Sequence, residues 1–197
     1  MKPTGKSRHQ HFPSFDGRRR LGTLLCLVEL LAVACGVAAS AANETAPSPC
    51  GKTFEVTGFF GHYRTPANVR VSGDGHDGTY EGEIFGPSFT ANVRGLPAGT
   101  YTIQIDLAEV YHKLPGQRVM RITSGGTVIA ARLDIVAQAG FAKPWRVQAR
   151  VDHQDDAIWG PLAITFTGIT GDAKFNAIKI VDAGGDTVAC VKAVDCA

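Results

Sequence analysis

Tyr111 and His112 pose the first chemical question in this chain: two rings side by side, one of them titratable, at the end of its most regular strand pattern. The other groups that could do chemistry are scattered. His62, His76 and His153 have no histidine four residues away and no cysteine at zinc spacing, so they do not compose a zinc site. Asp74-Gly75-His76-Asp77-Gly78 has the composition of a cation loop. It lacks the spaced oxygen ligands and terminal Glu of an EF-hand, and it reads as a turn. Asp155 and Asp156 are adjacent, and a strand would send them to opposite faces, so they do not form a glycosidase pair. No G-x-S-x-G, phosphate loop or dinucleotide fingerprint occurs. The expected catalytic residues, metal ligands and cofactors are therefore none, and a structural calcium has no specific motif to support it.

The elements that position Tyr111 and His112 are strands. Thr100 to Leu107 places Tyr101, Ile103, Ile105 and Leu107 on one face and Thr102, Gln104 and Asp106 on the other. That alternation is the mark of a half-buried strand, and Leu96-Pro97-Ala98-Gly99 is a turn feeding it. Further strands are expected at Phe54 to Thr57, Asn68 to Val71 and Ser88 to Val93. Arg118 to Ile122 and Thr127 to Ala131 flank Ser124-Gly125-Gly126 as a hairpin. Trp145 to Val151, Leu162 to Phe166, Phe175 to Val181 and Thr187 to Val194 complete the set, with Trp145 and Trp159 read as core, an exposed Trp on a sandwich face being the alternative as a second sugar platform. No stretch of ten or more residues past the leader shows helical periodicity with caps. Short strands separated by turns indicate an all-β sandwich.

The first 41 residues differ from the rest. Arg18, Arg19 and Arg20 precede the apolar run Leu21 to Ala34, broken only by Glu29, and Ala39-Ser40-Ala41 has the small residues of a cleavage site. Residues 1–41 read as a signal peptide, 42–51 as a short tether and 52–197 as the domain. A retained membrane anchor or lipidation at Cys35 are the alternatives. The leader holds six of the 20 basic and two of the 18 acidic residues, which leaves 14 and 16 and a net charge of −2 from Ala42 onward. Such a domain has no electrostatic grip on nucleic acid. Past the leader, Cys50, Cys190 and Cys196 are an odd three. One pair is expected in an oxidising compartment, with Cys50 joined to Cys190 or Cys196, or Cys190 to Cys196. Asn43-Glu44-Thr45 is a glycosylation sequon in a eukaryotic host.

Three runs carry a family resemblance: Ala108-Glu109-Val110-Tyr111-His112, Gly116-Gln117-Arg118-Val119 and Leu133-Asp134-Ile135-Val136-Ala137-Gln138-Ala139-Gly140. They resemble the malectin signature, in which "AEVY-aromatic" is followed by "G-x-R-V" and "LDI-x-A-x-A-G". Pro97 to Tyr101 is similar to the family's "P-x-G-x-Y" turn, and Phe175 to Ile180 to its closing "I-N-A-I-E-I" strand. Thr79 to Gly86 is similar to a stretch reading roughly "Y-x-T-E-R-Y-G". The resemblance implies a jelly-roll-like β-sandwich of the galactose-binding-domain-like kind, secreted or in the lumen of the secretory pathway. It implies non-catalytic binding of glucose-type oligosaccharides by aromatic rings and an acidic residue in loops at one end.

Carried over residue by residue, Tyr111 matches the first binding aromatic. His112 stands where the family has a second, usually Phe or Tyr, and Phe85 stands where it has a tyrosine, losing the hydroxyl. Asp172 falls within about one residue of the family's binding aspartate, and Tyr63 is spaced upstream of Phe85 as a further ring. Glu109 and Asp134 read as structural, hydrogen-bonding to neighbouring loops. The departures at His112 and Phe85 keep open an extracellular protein-interaction or adhesion domain on the same fold, with a companion enzyme or receptor as its partner.

Overall fold

The alternation at Thr100 to Leu107 becomes β4 (Gly99–Ala108), in which Tyr101, Ile103, Ile105 and Leu107 are all buried. A computed structural model describes residues 40–47, 52–73 and 77–196. In it β4 pairs with β7 (Pro144–His153) on one side and β10 (Ala177–Val181) on the other, and β11 (Thr187–Lys192) closes a four-stranded sheet in the order β11-β10-β4-β7. The facing sheet runs β1 (Ser40–Pro47), β2 (Thr53–Arg64), β3 (Gly82–Arg94), β8 (Leu162–Thr170), β5 (Val119–Ser124) and β6 (Thr127–Leu133), with β9 (Ala173–Phe175) also on β3. Every pairing is antiparallel. Two packed antiparallel sheets are the expected β-sandwich.

Between the sheets lies an aromatic centre. Phe89 stacks on Phe166 at 4.9 Å, and Phe175 packs 5.3 Å from Phe166. Offset and tilted ring contacts of this kind add to the area each phenylalanine buries. The β5–β6 hairpin turns through Gly125 and Gly126, both at positive φ (52° and 82°), as a two-residue primed turn requires.

Four readings are corrected. Asn68 to Val71 is not a strand: Val69 N donates to Pro66 O at 2.8 Å, closing a turn at Ala67 and Asn68, and the chain is irregular from there to Val71. The stretch read as a tether is a strand through Pro47, because β2 offers β1 a free edge from Phe60 to Thr53. Trp159 is 73% exposed on the four-residue helix α2 (Asp156–Trp159), whereas Trp145 is half-buried against the core. The Phe175 to Val181 strand is divided at Asn176, whose backbone N–H donates to Asp106 O and whose side chain bridges Gly82 O and the Ala108 amide.

Cys50 and most of the expected leader lie outside the described residues, as does Asp74-Gly75-His76, and of Asn43 only the backbone, within β1, is described. Cys190 lies on β11, and Cys196 lies in the closing 3₁₀ turn (Ala193–Cys196) with Sγ 3.7 Å from Lys192 O.

Candidate functional site

The site begins where β4 runs out. Beyond Ala108 the chain turns under Glu109, which is fully buried. Its Oε1 accepts from the backbone N–H of Tyr111 at 3.0 Å and of His112 at 2.9 Å. Its Oε2 faces Arg118 Nε at 2.8 Å, a contact of charge without an aligned hydrogen bond. Asp134 fixes the next stretch by capping α1 (Ile135–Gln138) through Ala137 N and by accepting from Gly116 N. Both acids are structural, as the sequence reading has them.

The opposite wall comes from β3 and β9. Ile84 and Phe175 are cross-strand partners in the core, so alternation sends Glu83, Phe85 and Lys174 to the other face. Glu83 is buried there and accepts from Lys174 Nζ, which also donates to Ala108 O. Tyr63 lies opposite Glu83 in the β2–β3 register. Asp172 arrives by an interruption: β8 and β9 lie along one edge of β3, and the chain leaves that edge at Gly171–Asp172. Gly171 has φ of 64°, and a Cβ there would stand 2.9 Å from Gln117 O. That close approach brings Asp172 O within 3.3 Å of Arg118 Nη1.

These walls enclose a cleft of about 590 Å³ bordered by Tyr63, Phe85, Tyr111, His112 and Asp172, all five site residues read from sequence. Tyr111 stands edge-on to Tyr63 at 5.9 Å and to His112 at 5.0 Å. With 63% of its surface exposed, Tyr111 is the ring of the cleft most open to a partner. Burial, and then the Glu83 carboxylate and Tyr111, push the Tyr63 phenol above its ordinary range, so it is a hydroxyl donor at neutral pH. Glu83 and Arg118 also line the cleft. Sequence reasoning passed over both, because charged residues in strands and loops read as solvated. Their only signals are the runs that hold them, "G-x-R-V" for Arg118 and the Thr79 to Gly86 stretch for Glu83.

The other candidates have structural work. His153 is buried with Nε2 2.6 Å from Asp156 Oδ1, and Asp155 caps α2 through Ala157 N. Asp77 Oδ1 accepts from Thr79 N, a local turn contact at the end of its loop. Among the described residues there is no cluster of three or more His, Cys, Asp or Glu able to hold a metal ion.

A family model described as Malectin domain matches residues 64–178, which takes in every residue of the cleft from Glu83 onward. Among solved structures, the ANX1 ectodomain from Arabidopsis thaliana is similar at 11% identity and a TM-score of 0.55, over 71% of this chain and 54% of that one. The ANX2 ectodomain from the same plant is similar at 15% identity and 0.51, over 60% and 38%. A beta-glucuronidase of Bacteroides uniformis is similar at 15% and 0.50, over 64% of this chain and 14% of that one. These likenesses concern the fold alone. The chain spans 38% of the ANX2 and 54% of the ANX1 structure. No curated protein matches it.

Proposed function

This chain belongs to the malectin domain family, and we propose that its cleft binds carbohydrate, of glucose type, without acting on it. The observation that carries the proposal is the convergence of Tyr63, Phe85, Tyr111, His112 and Asp172 on one cleft. A pyranose has an apolar face of C–H groups and a rim of hydroxyls. Exposed Tyr111, with Phe85 and His112, offers rings to the first, while Asp172 and the Tyr63 hydroxyl serve the second. Asp172's carboxylate makes no hydrogen bond or ion pair among the described residues, which leaves it to a ligand. Stacking that buries about 200 Å² of apolar surface is worth about 5 kcal/mol before ordering costs. Affinities between about 1 μM and 1 mM follow.

The non-catalytic part of the reading rests on where the buried carboxylates go. Glu83 is engaged by Lys174, and Glu109 by Arg118 and two backbone amides. These engagements support a structural role for both carboxylates over an acid–base one. Secretion or lumenal residence by way of residues 1–41, and glycan attachment at Asn43, belong to the same proposal.

A glycan array with the purified protein and its Tyr111→Ala variant tests it. Selective binding to glucose oligosaccharides, lost in a folded variant, is the expected result, and a folded protein that binds no glycan would sink the reading. A protein-interaction role has one observation in its favour: Ile158 and Trp159 stand side by side at 78% and 73% exposure. Capture of a protein ligand that is abolished by Trp159→Ser and untouched by Tyr111→Ala would support it.

A further inference from the structure

Two charged groups lining the cleft are not fully engaged with each other. Glu83 and Arg118 are 2% and 6% exposed. Glu83 gives Oε2 to Lys174 Nζ. Arg118 directs Nε at Glu109 Oε2 and donates from Nη1 to Asp172 O. What remains is Glu83 Oε1 and Arg118 Nη2, which face each other at 3.7 Å. That separation is too long for a hydrogen bond. It suits a group lodged at their edge that donates to the carboxylate and accepts from the guanidinium. A hydroxyl does both, whereas an ammonium only donates and a carboxylate only accepts.

We propose that Glu83 and Arg118 form a donor–acceptor clamp for one hydroxyl of the bound sugar, and so decide which hydroxyl pattern the cleft accepts. This rests on the carbohydrate reading and deepens it. Both side chains are held from behind, Glu83 by Lys174 and Arg118 by Glu109 and the Asp172 carbonyl, so their free atoms are oriented before a ligand arrives. Two acids and two bases balance within the network, so the clamp selects a polar neutral group over a charged one. Both side chains are nearly closed off from solvent, and charge-assisted bonds made there are the strong ones. A site built this way rejects the analogue without the hydroxyl, because its own polar atoms are then left unpaired.

The test is isothermal titration of the full chain with a glucose disaccharide and the set of its singly deoxygenated analogues. One position is expected to cost roughly 10- to 100-fold in affinity, positions bonded by Asp172 or the Tyr63 hydroxyl less than that, and the rest no more than about twofold. Arg118→Lys keeps the charge beside Glu109 but removes the second arm of the fork. In that variant the penalty at the sensitive position should fall to about twofold. The analogue series on unaltered protein stands without the variant should the lysine prevent folding. A flat series with the parent disaccharide still bound overturns the clamp and leaves carbohydrate binding in place. So does a penalty that persists undiminished in folded Arg118→Lys. A folded protein that does not bind the disaccharide overturns both the clamp and the glucose-type reading beneath it.

Discussion

Glu109 and Arg118 are nine residues apart in the chain and meet with Oε2 and Nε at 2.8 Å, both closed off from solvent. The pair fixes the loop between them at its two ends. Glu109 holds the amides of Tyr111 and His112, and Arg118 reaches the carbonyl of Asp172 across the cleft. Removing the carboxylate would strand a buried guanidinium and two amides. Glu109→Ala should therefore cost about 3–5 kcal/mol, lowering the thermal midpoint by on the order of 10 °C. Glu109→Gln keeps the acceptor for the amides and should cost less. Thermal unfolding followed by circular dichroism checks both, and equal midpoints for Glu109→Ala and the parent would refute the account.

Much of this arrangement is legible in the sequence, for local reasons. The β4 alternation and the Gly125-Gly126 turn depend on neighbours in the chain, and period and turn chemistry reveal them. The five cleft residues came from motif likeness, which marks positions without giving their geometry. What stayed hidden depends on distant partners. Asp106 reads as a polar-face residue, yet it is buried because Arg146 reaches it with two nitrogens, at 2.6 and 3.1 Å. Lys174 and Glu83 are 91 positions apart, and each alone looks like a surface charge. Trp159 reads as core by its size, and only the fold sets it on an exposed helix.

Gly171 gives a separate test of how Asp172 is placed. Its φ of 64° disfavours an L side chain, and a Cβ would press on Gln117 O at 2.9 Å. The left-handed conformation alone costs about 1–2 kcal/mol. Gly171→Ala should lose about that much stability and, by pushing the 171–172 turn off Arg118, weaken sugar binding more than Asp172→Ala does. Denaturant titration and calorimetry on the two variants read the difference. A Gly171→Ala protein with parental stability and affinity would show that the turn tolerates the change.

The cysteines make a chemical prediction. Cys190 lies on β11, at the sheet edge away from β4, and Cys196 closes the domain in a 3₁₀ turn. We expect Cys50 to be bonded to Cys190, joining the two ends of the domain. By the chain-entropy model a loop of that length stabilises by up to about 5 kcal/mol. Peptide mapping without reductant should find the Cys50–Cys190 linkage and an alkylatable Cys196. A Cys190–Cys196 peptide would replace this pairing with a short loop contributing roughly half as much.

Tyr63 provides a prediction in pH. Its phenol is raised above the ordinary value by burial first, then by the Glu83 carboxylate and Tyr111. The unfolded chain ionises at about pH 10, so above that pH the unfolded state gives up its proton before the folded state does. Linkage then makes stability fall as pH rises. The contribution of Tyr63 is fully present below about pH 10 and is lost as pH climbs through the higher folded value. Between about pH 6 and 9 the hydroxyl stays protonated, so Tyr63 should impose no pH dependence on sugar binding there. Denaturant unfolding at stepped alkaline pH, compared with Tyr63→Phe, isolates the effect. The parent should lose stability faster than the variant beyond about pH 10, and matching slopes would mean that Tyr63 ionises as an exposed phenol does.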